Sequence, residues 1–133
     1  MDICRSKLSQ NNIDTLKARL MAKSEPNGKG CLEFNGTKQQ NNVYRFLKVN
    51  IKDVDGRPLT GSVRVHRLSY VLHAGPIDND VRVHVSHLCH NKACIDHTHL
   101  SLEPAATNAQ RQLCVDGKHC LGHVGYSNCI FNA

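Results

Sequence analysis

The chain has no tryptophan, three phenylalanines and three tyrosines in 133 residues, and 40% of it is hydrophobic. A core built chiefly on aromatic packing is excluded, and a lean core of this kind needs staples. No apolar run approaches the ~20 residues that a membrane-spanning helix requires, so no membrane partner is expected. Met1 to Ser9 is polar, with no apolar leader region, which points to an intracellular chain, nuclear if eukaryotic. Acids are in the minority, 11 against 17 Lys and Arg, and the net charge of +6 suits a polyanionic partner. Those basic residues concentrate in the first 75 positions. Cysteine and histidine, by contrast, are plentiful: seven and nine. In a reduced compartment such cysteines serve metals better than disulfides, and an odd number of them fits that reading.

A coarse pass along the chain gives an α+β pattern. Ile13, Leu16 and Leu20 form the apolar stripe of a short helix over 12–23, with Asn11 or Asn12 as its N-cap. "SEPNGKG" then reads as a linker, which sets residues 1–30 apart from a domain over 31–133. "CLEF" is a short strand. "VYRFLKVNIK" and "TGSVRVH" alternate with period two about the "DVDGRP" turn, and so form an antiparallel ribbon. Lys48, Asn50, Lys52, Ser62 and Arg64 fall on its polar face, which suits a DNA groove, although a plain solvated face is as common. Leu68, Val71 and Leu72 mark a helix that ends at Gly75–Pro76. "DVRVHVSHL" is a strand that places His87 on the same face as Val81, Val83 and Val85. "LEPAATNAQRQLC" reads as a helix with Pro104 in its first turn.

"SHLCHNKACIDHTHL", residues 86–100, holds two cysteines and four histidines. Cys89-x4-Cys94-x4-His99 has knuckle-like ligand spacing and requires a fourth ligand from elsewhere. Cys31 is the first candidate, with His97, His90 and Cys4 competing. Cys114-x5-Cys120-x2-His123-x5-Cys129 is a second set within a Gly-, Asn- and Ser-rich tail that has little else to fold around. Two structural zinc ions are expected. His87, His90, His97, His119 and Cys4 then lie outside the metal count.

The stretch over 86–100, followed by "ATNAQRQLC", resembles the ββα-metal (His-Me finger, HNH-like) nucleases, and more narrowly the His-Cys box homing endonucleases. The likeness is dense over 86–114, loose over 31–75 and absent from the first thirty residues. It implies a zinc-stapled α+β fold with a DNA-reading sheet and helix over 31–75, a ββα-metal motif over 76–113 and a zinc-bound tail over 114–133. It implies that His87 is the general base, that Asn108 is the side-chain ligand of one Mg²⁺, and that an arginine sits near the scissile phosphate: Arg64 first, Arg57 second. It assigns Cys31, Cys89, Cys94 and His99 to the first zinc, and Cys114, Cys120, His123 and Cys129 to the second. Neutral imidazole suits proton removal near neutral pH, and a divalent cation suits a phosphoryl transition state. The expectation is a Mg²⁺-dependent, sequence-specific endonuclease of double-stranded DNA that works as a homodimer. A non-catalytic zinc DNA-binding module and a nonspecific HNH-type nuclease are the alternatives. Two departures from the family pattern stand out: the tail spacing is wider, and "IDHTHL" replaces an Asn-Pro turn, so His97 competes with His99.

Overall fold

The architecture was read from a computed structural model that describes residues 3–35, 44–77 and 83–131. After a single 3₁₀ turn at Arg5–Lys7, helix α1 runs over Gln10–Ala22. Its cap is Ser9, not Asn11 or Asn12. The Ser9 hydroxyl accepts from the Asn12 amide at 3.0 Å, while the Asn12 side chain accepts from the Ser9 amide at 3.0 Å. Asn12 is thus the returning half of a capping box, and the helix starts two residues earlier than its apolar stripe suggests. Leu16 and Leu20 of α1 are fully buried, so the helix covers the core.

Among the described residues, six strands form three separate antiparallel pairs. Strands β1 (Ser24–Pro26) and β2 (Leu32–Phe34) make the smallest. Strands β3 (Phe46–Lys52) and β4 (Pro58–Arg64) make a seven-pair ribbon. Its turn is held by Asp53, whose Oδ1 accepts from the amides of Asp55 and Arg57 at 2.9 and 3.0 Å, while Gly56 supplies the left-handed φ of 76°. Period two holds along the ribbon: Leu47, Val49 and Val63 are buried, and Lys48, Asn50, Lys52, Thr60, Ser62 and Arg64 lie on the exposed face. Val43, the first residue of the expected strand, lies outside the described residues, as does Val81.

Helix α2 (Val65–His73) follows β4 without a linker and buries Val65, Leu68, Val71 and Leu72 against α1 and the ribbon. Strand β5 (Val83–His87) pairs with β6 (Leu100–Pro104), and helix α3 (Ala105–Gly117) follows directly. Residues 102–104, expected as the start of the last helix, instead belong to β6. Glu103 precedes a proline and is pushed to extended backbone, and the ladder with β5 takes up its polar groups. The helix accordingly begins at Ala105 and runs three residues past Cys114. The result is a strand–loop–strand–helix unit resting on the α1–α2–ribbon core. Among the described residues, no helix is long and apolar enough to cross a membrane.

Candidate active site and metal centres

The β5–β6 connection is a loop stitched to β2. The Phe34 amide donates to the Ala93 carbonyl at 2.9 Å, and the Ile95 amide donates to the Leu32 carbonyl at 2.8 Å. That pairing carries Cys31, the residue before β2, to the loop. Cys31, Cys89, Cys94 and His99 thereby converge, with all four donor atoms within 4.8 Å of one another. Cys114, Cys120, His123 and Cys129 converge in the same way at the end of α3. A tetrahedral zinc with Zn–S of about 2.3 Å and Zn–N of about 2.0–2.1 Å has S···N edges of about 3.5–3.6 Å. Cys31 Sγ and Cys94 Sγ lie 3.5 and 3.6 Å from His99 Nδ1, and Cys114 Sγ and Cys129 Sγ each lie 3.5 Å from His123 Nε2. Both sets therefore fit zinc.

Thiol crowding agrees. The hydrogen bond from Cys89 holds Cys94 down to about 5. Burial pushes Cys31 up to about 11, and the Cys94 contact drives Cys89 upward. Without a cation this cluster favours one thiolate only, whereas a bound dication stabilises all three. His97 is not a ligand. Its ring stacks on His73, with centroids 4.7 Å apart. His90 stacks on Phe131 at 5.3 Å, and Cys4 is an exposed free thiol.

Beside the first zinc set lies a cleft of about 390 Å³ whose lining includes Tyr44, His87, His90, Lys92, Asn108 and Arg111. His87, at the end of β5, is 8% exposed. Its Nε2 lies 3.1 Å from the Cys94 carbonyl. A carbonyl can only accept, so Nε2 carries the proton and Nδ1 keeps its lone pair. Burial lowers the His87 pKa to about 4, with His90 and Lys92 adding repulsion and the carbonyl bond opposing both, so the ring is neutral at physiological pH. Asn108, one turn into α3, reaches the same cleft. Its Oδ1 accepts from the Ser86 hydroxyl at 2.7 Å, and its Nδ2 donates to His84 Nδ1 at 3.0 Å.

Two ring neighbours of His87, Tyr44 and His66, had not been singled out from the sequence. His66, at the start of α2, stacks on His87 at 4.6 Å and on Tyr44 at 4.8 Å. Arg64 places its guanidinium 5.0 Å above the Tyr44 ring, and Lys92 places its ammonium 5.4 Å from it. Arg64 thus stands at the cleft end of β4. Arg57 sits in the β3–β4 turn at the other end, roughly 20 Å away by strand rise. The signal for His66 was its place directly after Arg64 and Val65, where the ribbon enters α2, but nothing in its spacing ties it to His87.

The strand–loop–strand–helix unit carries two Cys₃His sets that fit zinc, beside a cleft that holds a buried imidazole. Residues 30–131 match the family model described as the zinc-binding loop region of homing endonuclease. The chain belongs to that family, which implies a nuclease-related role on DNA. Neither a curated protein nor a solved structure matches it.

Proposed function

We propose that the protein is a Mg²⁺-dependent, sequence-specific endonuclease of double-stranded DNA. The observation that carries this reading is the aim of His87. Its Nε2–H is spent on the Cys94 carbonyl, so Nδ1 is the proton acceptor, in the same cleft as Asn108. His87 would take the proton of the attacking water at Nδ1. Asn108 fits a hard cation in donor type: its Oδ1 is a neutral oxygen oriented by Ser86, with one lone pair left over. A Mg²⁺ held there, completed by water and phosphate oxygens, would supply charge stabilisation for the phosphoryl group and the leaving oxygen. Arg64 and Lys92, gathered on Tyr44, give the cleft a cationic rim for the phosphate backbone.

Upstream of the cleft, Lys48, Asn50, Lys52, Ser62 and Arg64 form the exposed face of the ribbon, the side suited to reading a groove. A chain with one such cleft cuts one strand at a time, so double-strand cleavage calls for two copies on a two-fold site. The test is a pool of randomised duplexes incubated with zinc-loaded protein and Mg²⁺, with bound molecules and newly made ends both sequenced. Ends at a shared motif, absent with His87→Ala, are the expected result. Enrichment of a motif without new ends would reduce the protein to a binding module. Ends without a motif would make it a nonspecific nuclease.

A further inference from the structure

Arg111 and Glu103 form a buried ion pair, 2% and 1% exposed, that supplies neither a zinc ligand nor the proton acceptor. Arg111, on α3 one turn after Asn108, grips both Glu103 oxygens through Nε and Nη2, the latter at 2.7 Å. The same guanidinium reaches the tail. Nη1 donates to Cys129 Sγ at 3.3 Å, and Nη2 donates to the Ser127 carbonyl at 2.9 Å. The Glu103 carboxylate also lies beside Ser86 across the β5–β6 ladder, and Ser86 gives its proton to Asn108 Oδ1 at 2.7 Å. One unbroken chain of polar contacts therefore runs from a sulfur of the tail cluster to the amide of Asn108.

We infer that Arg111 is a positioning residue through which the tail zinc site sets the side chain of Asn108. The inference rests on the role given to Asn108 above and adds a control over it. A serine hydroxyl has a single proton, and Ser86 faces two acceptors, the Glu103 carboxylate and Asn108 Oδ1. A bare carboxylate outcompetes a neutral amide oxygen for that proton. With Arg111 forked across it, Glu103 is already satisfied, and the proton goes to Asn108, which fixes the amide with its oxygen toward Ser86. Arg111 is in turn held in plane by Cys129 and Ser127, and those two acceptors are in place only when the tail is folded around its metal. An empty tail site leaves Arg111 without them, frees Glu103 to capture Ser86, and leaves Asn108 without its donor.

The test compares zinc-loaded wild type with Arg111→Met and Cys129→Ser, the second of which keeps both partners of the ion pair and alters only a tail anchor of Arg111. The ¹⁵N side-chain amide resonance of Asn108 is followed in each, assigned by its loss in Asn108→Ala. Zinc release to a chromophoric chelator is measured in parallel. Both variants should move or broaden the Asn108 resonance, and Arg111→Met should weaken the tail zinc about 10- to 100-fold while the first zinc stays bound. Where cleavage is seen, both variants should raise the Mg²⁺ concentration needed for half-maximal rate. An Asn108 resonance unchanged in Cys129→Ser would overturn the inference, whatever becomes of Arg111→Met. A wild type that never cuts DNA would remove the function of Asn108, yet the resonance would still report whether the tail controls its position.

Discussion

The two metal clusters use the same donor set, three cysteines and one histidine, and are built on opposite principles. The first draws its ligands from points 58 residues apart, Cys31 and Cys89, and sits where two backbone ladders already meet. Three of its ligands are buried cysteines, packed against Ile130, and His99 has the Asp96 carboxylate 3.8 Å from its other ring nitrogen. The second draws all four ligands from sixteen consecutive residues. Around it Leu121 and Val124 are exposed, and the free Nδ1 of His123 is buried without a hydrogen-bond partner. One metal staples a fold that other contacts also support. The other is the fold of its own segment, moored by Arg111 and by the Ile130 amide, which donates to the Leu88 carbonyl at 2.7 Å. Donor chemistry alone does not reveal what a site is for; the separation of its ligands along the chain does.

The sharpest break in this comparison is a pair of single substitutions. Cys94→Ser should abolish cooperative folding, because structural zinc contributes on the order of 10 kcal/mol and the whole domain is worth only about 5–15. Cys120→Ser should release the tail alone, leaving hydrogen-exchange protection over α1, α2 and the ribbon intact. Equal loss of protection in both would show that the two sites are one unit. Next in size is graded chelation: zinc should leave in two steps, with the tail site, whose His123 has no hydrogen-bond partner at its other ring nitrogen, emptying first by about tenfold or more. A single step would erase the distinction.

Acid should sharpen it from another side. Burial holds His66 well below the usual imidazole range and His87 at about 4, so the folded chain keeps both neutral where the unfolded chain protonates. Stability is therefore full above about pH 6.5 and falls by roughly 1.4 kcal/mol per pH unit per histidine as pH drops from there. His66→Gln should flatten that slope in zinc-saturated thermal melts between pH 7 and 5, and an unchanged slope would place the acid sensitivity in the thiolates. Smallest is Ser9→Ala, far from both metals, which removes half a capping box and should cost about 1 kcal/mol.

Both ligand sets were legible in the sequence, since short spacings between soft ligands survive without a fold. The alternating faces of the ribbon and the inward turn of His87 were legible for a similar reason: alternation is a local property. Strand β6 was not, because Leu102 and Glu103 become strand only by pairing with Val85 and His84 across a loop. Ser9 was hidden because the apolar stripe of α1 starts well after its cap. The Tyr44–His66–His87 stack and the Glu103–Arg111 pair were hidden more deeply. Each joins residues whose separation carries no period, and only packing brings them together.

Cys94 has two jobs at its two ends. Its sulfur belongs to the first metal cluster, and its carbonyl oxygen fixes the tautomer of His87. A newly made chain that has not yet acquired its first metal therefore lacks more than stability, because its imidazole has no fixed bearing. On the proposed function, the step that matures the fold is then also the step that orients the proton acceptor.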